Sequence, residues 1–157
     1  MAELAQKQVC LSLFFWYFTT YLQSMKYSII VPVYNRPDEV GELLESLCKQ
    51  SFKDFEVIIV EDGSAMPCKE VCDKYMESLD LKYFMKQNSG PGQSRNYGAE
   101  RSKGEYLIVL DSDVVLPDGY LQAVEDELQQ KPADAFGGPD RAHDSFSTIQ
   151  KAINYAM

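Results

Sequence analysis

EYLIVLDSDVVLPD, residues 105–118, joins a short apolar run to a pair of acids. The run at residues 105–110 is rich in strand-forming residues, which predicts a strand buried on both faces. Asp111 and Asp113 follow it directly. Ligands bind at the carboxyl ends of strands in open α/β sheets, so this pair is a candidate binding site.

Asp111 and Asp113 are close enough in the chain to repel each other unless a cation neutralises them. Mg²⁺ or Mn²⁺ prefers oxygen ligands and keeps coordination positions for water and substrate phosphates. We therefore expect the two carboxylates to hold such a metal ion against a diphosphate. The alternative is a solvated Asp-Ser-Asp turn, because these residue types favour turns.

Size and composition narrow the function classes. The chain has 157 residues, enough for one domain with a real core. Its net charge of -9 argues against nucleic acid as a partner, since nucleic-acid binders need a basic face. One histidine and four cysteines without a C-x-x-C spacing argue against a zinc site. We interpret Cys10, Cys48, Cys68 and Cys72 as mostly buried, reduced thiols of a cytosolic protein.

Strand patterns alternate with helical patterns from residue 26 onward. Strands are predicted at 27–33, 55–60, 81–85, 105–110 and, as a short piece, 133–136. Helices are predicted at 38–50, 67–79, 93–102, 117–130 and 147–155. This alternation implies right-handed crossovers and an α/β fold with a mostly parallel sheet.

Polar residues follow three of the predicted strands. Asn35 comes after the first, Glu61 and Asp62 after the second, and Asp111 and Asp113 after the fourth. In one parallel sheet these strand ends share an edge. The sequence therefore predicts that the five side chains converge there.

Residues 1–25 form an apolar extension, which we interpret as a helix peripheral to the fold. Its segment 9–22 is almost wholly apolar or aromatic, yet too short to span a bilayer. It lacks the basic start and cleavage pattern of a signal peptide. The other interpretations are packing on the domain core, contact with a partner or with a membrane surface at the cytoplasmic inner face, and an extension upstream of a domain that starts at Met25.

Four stretches resemble, in order and spacing, the amino-terminal half of family 2 glycosyltransferases. They are SIIVPVYNR at 28–36, DFEVIIVEDGS at 54–64, NSGPGQSRNYGAE at 88–100 and YLIVLDSDVVLPDGYL at 106–121. The resemblance covers about residues 26–140. It implies the GT-A fold, a Rossmann-like nucleotide-binding sheet with flanking helices, and a donor-binding subdomain over residues 26–157.

The resemblance assigns roles at the first two strand ends. Pro32, Tyr34 and Asn35 would border the nucleoside. Asp62 would accept a hydrogen bond from the imide N–H of a uracil or thymine ring. Glu61 belongs to the same nucleotide-sugar-binding stretch, where aspartate is more usual.

The resemblance also assigns roles further along the chain. Gly90 and Arg95 would approach the nucleotide and its diphosphate, and Ser94 stands where the family often has alanine. Asp111 would lie by the ribose or the metal, and Asp113 would hold the metal directly.

The chemistry that the resemblance implies is inverting transfer of a sugar from a nucleoside diphosphate donor, with UDP-sugar as the expected donor. The acceptor would be a hydroxyl of a glycan or lipid-linked molecule, in cell-wall or polysaccharide biosynthesis. Such a reaction needs a carboxylate base to take the proton of the acceptor hydroxyl.

The family has this base well beyond its D-x-D, in the half that binds the acceptor. Asp140 and Asp144 come too early to match it. We therefore expect no catalytic base within this chain and place the expected base after Met157, the last residue of the sequence. The expected protein is an apparently truncated donor half without an acceptor site, whose exposed apolar surface favours a homo-oligomer.

Two other function classes fit parts of the pattern. One is a non-catalytic nucleotide-binding fragment or docking module. The other is a phosphatase-like hydrolase, with Asp111 as nucleophile and Asp113 as acid. Haloacid-dehalogenase-type enzymes have such a motif on their opening strand, whereas here three strand-helix units precede it.

Overall fold

The structure, a computed structural model, describes residues 25–137. The helix predicted at 147–155 lies outside these residues, and the helix predicted at 1–25 lies outside them except for residue 25. Met157, after which the catalytic base is expected, also lies outside them. The strands are β1 (Tyr27–Val33), β2 (Phe55–Asp62), β3 (Asp80–Lys86) and β4 (Tyr106–Val109). The helices are α1 (Pro37–Cys48), α2 (Lys69–Asp73), α3 (Pro91–Ala99) and α4 (Tyr120–Gln130). Strands and helices alternate along the chain, as predicted.

The four strands form one parallel sheet in the order β3-β2-β1-β4. The α/β fold and its parallel sheet are thus confirmed. After β3 the chain crosses to the other side of β1, so the strand order reverses between β1 and β4. Such a switch point leaves a crevice at the carboxyl ends of the two strands, where ligands bind in open α/β sheets.

Helix α3 lies very close to one face of β1 and β2. A Cβ added at Gly98 would be 2.5 Å from Cγ2 of Ile30 and 3.3 Å from Cγ2 of Val60. Real carbon–carbon contacts are about 3.5–4.0 Å, so only glycine permits this approach. The close packing fixes the position of α3, which carries Arg95.

Helix α1 has the predicted apolar stripe. Val40, Leu43, Leu44 and Leu47 recur at helical spacing and are fully buried. The helix contacts the α2 segment, where the Tyr75 hydroxyl donates to the carbonyl oxygen of Gly41 at 3.4 Å.

Three local predictions were wrong. The helix expected at 67–79 is regular only over Lys69–Asp73, because the next amides bond three residues back, as in the 2.9 Å bond from Tyr75 to Cys72. Residues 133–136 are exposed and form no strand. Strand β4 is not buried on both faces, because Leu107 and Val109, which alternate along it and share one face of the sheet, are about half exposed.

The chain divides into two compact units, and the boundary falls between Ala123 and Val124, within α4. The candidate site below lies entirely in the first unit. No helix in residues 25–137 combines the length and apolar character needed to cross a membrane.

Candidate functional site

A cavity of about 340 Å³ opens at the carboxyl ends of β1, β2 and β4. It is lined by Pro32, Val33, Tyr34, Arg36, Asp62, Pro91, Asp111, Ser112 and Asp113. Five of these nine residues were already predicted from the sequence to bind the nucleotide sugar or its metal ion. The volume suits a small-molecule site, for which about 300–1,000 Å³ is usual. The structure therefore brings three carboxylates from two segments, the end of β2 and the stretch after β4, to one edge of the sheet.

Arginines balance the two acids that follow β4. Nη2 of Arg95 donates to Oδ1 of Asp111 at 2.8 Å, and Nη1 of Arg36 donates to Oδ2 of Asp113 at 3.3 Å. Both acids expose more than half of their side chains. Exposed ion pairs contribute little stability, so a ligand can exchange with these partners at small cost. Sequence reasoning missed Arg36, whose only signal is its place after the end of β1.

Asp62, the last residue of β2, is buried and held by a loop. Its carboxylate accepts from the Lys86 ammonium and from the backbone amides of Ser89 and Gly90, at 2.9 and 2.8 Å. Burial alone would raise the pKa of Asp62, but the Lys86 charge and the two amides hold it below its usual range. The side chain is therefore an ionised acceptor at neutral pH. Lys86 was not identified from the sequence.

Two glycines shape this loop: Gly90 lies in it, and Gly63, directly after β2, packs against it. Gly90 has a φ of 91° and directs its amide at Asp62. Gly63 has a φ of 70°, and a Cβ there would be 2.7 Å from the amide nitrogen of Asn88. Gly90 itself does not line the cavity, whereas its neighbour Pro91 does.

Glu61 lies outside the cavity lining, although the sequence placed it with the nucleotide-binding residues. It is fully buried and accepts from Ser64 Oγ, from the Cys68 amide at 2.8 Å and from the Tyr83 hydroxyl at 3.3 Å. Neighbouring side chains of a strand point to opposite faces, so Asp62 and Glu61 face different sides of the sheet. Glu61 ties the α2 segment to β2.

Asn35 joins the loop after β1 to the loop after β2. Its backbone N–H donates to Ser64 Oγ at 2.7 Å, and its side-chain oxygen accepts from the backbone amides of Ala65 and Met66 at 2.8 and 3.1 Å. Its φ of 56° is tolerated because asparagine adopts left-handed backbone more readily than most residues. The link positions the adjacent Tyr34, which is half exposed beside the cavity.

Arg95 retains hydrogen-bonding capacity beyond its pair with Asp111. Its Nε is buried and has no hydrogen-bond partner among residues 25–137. A buried donor without a partner is costly. Arg95 does not line the cavity and reaches the site only through its pair with Asp111.

The described part of the chain contains no group of three or more Asp, Glu, His or Cys side chains arranged to hold a metal. Asp111 and Asp113 nevertheless supply the hard oxygen donors that Mg²⁺ or Mn²⁺ takes. Mg²⁺ commonly binds through one or two carboxylates and completes its shell with phosphates and water. The two acids fit that mode of binding.

Sequence comparison identifies related proteins. The sequence model of glycosyl transferase family 2 matches residues 28–155. Glycosyltransferase GlyG of Streptococcus pneumoniae is 32% identical over 113 residues, which are 71% of this chain and 38% of that protein. GalNAc(5)-diNAcBac-PP-undecaprenol beta-1,3-glucosyltransferase of Campylobacter jejuni is 34% identical over 115 residues, 71% of this chain and 37% of that protein. The chain thus spans well under half the length of these relatives.

Solved structures share the fold. The structure of Staphylococcus aureus TarS 1–349 in complex with UDP-GlcNAc has a TM-score of 0.66 at 33% identity, covering 74% of this chain and 37% of that one. Mannosyltransferase PcManGT of Pyrobaculum calidifontis, solved with GDP-Man and Mn²⁺, has a TM-score of 0.62 at 20% identity. That likeness covers 76% of this chain and 40% of that one.

Proposed function

Because the chain belongs to glycosyl transferase family 2, we propose that its cavity binds the nucleoside diphosphate sugar from which a sugar is transferred, with inversion, to an acceptor hydroxyl. The expected donor is a UDP-sugar. One observation carries the proposal: Asp62, from the end of β2, and the Asp111–Asp113 pair, from the segment after β4, line one cavity at the carboxyl ends of the strands. The UDP-GlcNAc complex of the 33%-identical TarS supports the same donor class.

Different residues at the cavity suit the nucleoside and the diphosphate of such a donor. The aromatic ring of Tyr34 and the ring of Pro32 offer apolar contact for a nucleoside, and Asp62 offers an acceptor for its base. Arg36, which lines the cavity, and Arg95, whose guanidinium pairs with the lining residue Asp111, offer donors to the diphosphate. Guanidinium groups match phosphate oxygens in both charge and shape.

Asp113, together with Asp111, would hold Mg²⁺ or Mn²⁺. When bound, the ion offsets the negative charge that develops on the departing diphosphate. The solved complex of PcManGT with GDP-Man and Mn²⁺ supports the presence of a metal beside a sugar nucleotide in this fold. The protein's own contribution is to release the two carboxylates from Arg36 and Arg95, which then re-pair with phosphate.

The general base is proposed to come from outside residues 25–137, and its expected place after Met157 stays a prediction. Among the described residues the only carboxylates that line the cavity are the three already assigned, and each is engaged by a cation or an amide. The same observation favours the alternative that this chain alone binds nucleotide without catalysis. A glycan or lipid-linked acceptor is proposed, in line with the undecaprenol-linked substrate in the name of the Campylobacter relative.

Titration of the whole chain with UDP, by calorimetry with and without MnCl₂, tests the proposal. We expect Mn²⁺ to raise the UDP affinity of the parent chain by at least about tenfold. We expect Asp113→Ala to abolish this gain while leaving the circular dichroism spectrum unchanged. Asp118→Ala is the matched control, because Asp118 is an exposed aspartate that does not line the cavity. Equal UDP affinity in Asp113→Ala and the parent chain would overturn the assignment of the metal site.

A further inference from the structure

We propose that Lys86, at the end of β3, determines which nucleobase the cavity accepts, by leaving the Asp62 carboxylate free to accept only one more hydrogen bond. Lys86 would act as a positioning residue through Asp62, without touching the nucleotide. The inference rests on the proposed function, because it concerns the base of the nucleotide bound there.

The Asp62 carboxylate is nearly saturated by its own loop. Among residues 25–137, Lys86 Nζ and the Ser89 amide both donate to Oδ1, and the Gly90 amide donates to Oδ2. A carboxylate offers about four acceptor positions, two on each oxygen. Oδ1 is therefore filled and Oδ2 retains one position. Asp62 lines the cavity, so a ligand there meets a carboxylate that can accept a single donor.

The sheet itself imposes the pairing of Lys86 with Asp62. The two residues are register partners on the neighbouring parallel strands β2 and β3. The Lys86 side chain is 13% exposed, and its ammonium also donates to Ser89 Oγ and, at 3.3 Å, to the Gln87 carbonyl oxygen. An ammonium has three donors, and all three are used within the described residues. Lys86 thus has no donor left for the carbonyl groups of a base.

The bases differ in the number of donors they offer on the edge that would meet Asp62. Uracil and thymine present one imide N–H, which the remaining position on Oδ2 can accept. Guanine presents an N1–H beside an N2 amino group, and the second donor would meet the saturated Oδ1. A desolvated donor without an acceptor weakens binding, on the order of tenfold or more. Cytosine and adenine place a ring-nitrogen acceptor beside their amino group, and that acceptor would face a carboxylate oxygen.

Inosine diphosphate separates this effect from base size. It has the purine ring and the N1–H of GDP but lacks the N2 amino group. In titrations of the whole chain with MnCl₂, followed by calorimetry or by NMR, we expect GDP to bind at least about tenfold more weakly than IDP. UDP methylated at N3, which has lost its one donor, should bind more weakly than UDP. GDP that binds as tightly as IDP would overturn the inference.

Lys86→Met returns an acceptor position to Oδ1, so the difference between IDP and GDP should shrink to about twofold. Lys82→Met is the matched control. It removes a lysine from the same face of the same strand, where Lys82 pairs with the buried Glu56 and does not line the cavity. This control should keep the full difference. A purely structural role of Lys86 would weaken both purine nucleotides equally, and an unchanged ratio in folded Lys86→Met would overturn the inference.

Other outcomes are also decisive. If Lys86→Met does not fold, as judged by circular dichroism, the IDP and GDP affinities of the parent chain decide the matter alone. If the parent chain binds none of the nucleotides, the proposed function fails, and this inference with it. If UDP binds in an Mn²⁺-dependent manner but IDP and GDP bind equally, only the role given to Lys86 fails.

Discussion

Gly98→Ala tests the packing that holds the candidate site together. The added methyl group would lie 2.5 Å from Cγ2 of Ile30, about 1 Å inside the usual contact distance. Ile30 is fully buried in the central strand β1, so it cannot move aside into solvent. Overpacking of a core typically costs about 1–3 kcal/mol. Part of this cost would be offset by the better helix propensity of alanine, worth about 1 kcal/mol in a helix interior.

We therefore expect a net destabilisation of about 0–2 kcal/mol from these two opposing effects, with values near 2 kcal/mol if the backbone of α3 does not shift. Urea denaturation followed by circular dichroism measures this difference directly. At about 2–4 °C per kcal/mol for a chain of this size, the melting temperature would fall by up to about 8 °C. If α3 shifts instead, Arg95 moves relative to Asp111, and UDP affinity falls in place of stability.

Gly92→Ala is the control within the same helix. A Cβ at Gly92 would have no heavy atom within 4 Å, and the residue is exposed. This variant should match the parent chain or exceed its stability by up to about 1 kcal/mol. If Gly98→Ala matched Gly92→Ala in both stability and UDP affinity, the close contact of α3 with the sheet would be refuted.

Two further predictions concern titratable groups. The pKa of Asp62 is lowered in the fold, so its ion pair and amide bonds stabilise the protein above the unfolded pKa of about 3.9, and this contribution is lost as the pH falls through the folded value. Asp62→Asn should therefore flatten the decline in unfolding free energy below about pH 4, and an unchanged acid profile would contradict the pairing. The hydrogen bond with the Cys72 thiol, burial and the nearby Glu61 carboxylate raise the pKa of Cys68. Cys68 and Cys72, both fully buried, should therefore react with a thiol reagent only on unfolding, whereas half-buried Cys48 reacts in the native state. Peptide mass spectrometry after timed alkylation checks this order, and early labelling of Cys68 would refute it.

The sequence predicted the sheet well because its central strands are continuous apolar runs. Strands β1 and β2 are almost wholly buried, and such runs between turn signals are easily identified. Strand β4 has the same composition, yet Leu107 and Val109, on one face of it, are half exposed. Composition indicates which side chains a strand can bury, whereas the packing on each face of the sheet decides which of them are covered.

The candidate site was predictable only in part. Asp62, Asp111 and Asp113 follow apolar strands, so their convergence could be expected from parallel topology. Their cationic partners could not be predicted in the same way. Lys86 meets Asp62 only through the register of β2 and β3, and Arg36 meets Asp113 across 77 residues of sequence. Glu61 adjoins Asp62 in the sequence but does not line the cavity, because neighbouring side chains of a strand point to opposite faces.

The arginine partners of the two acids have a consequence for how the site fills. A cation that arrives alone must displace guanidinium groups that already balance Asp111 and Asp113. A cation that arrives with a diphosphate gives both guanidinium groups new anionic partners at once. Ion and nucleotide would then strengthen each other's binding by the same factor, since such coupling is reciprocal. The apoprotein would then bind a divalent ion more weakly than the protein with its nucleotide bound does.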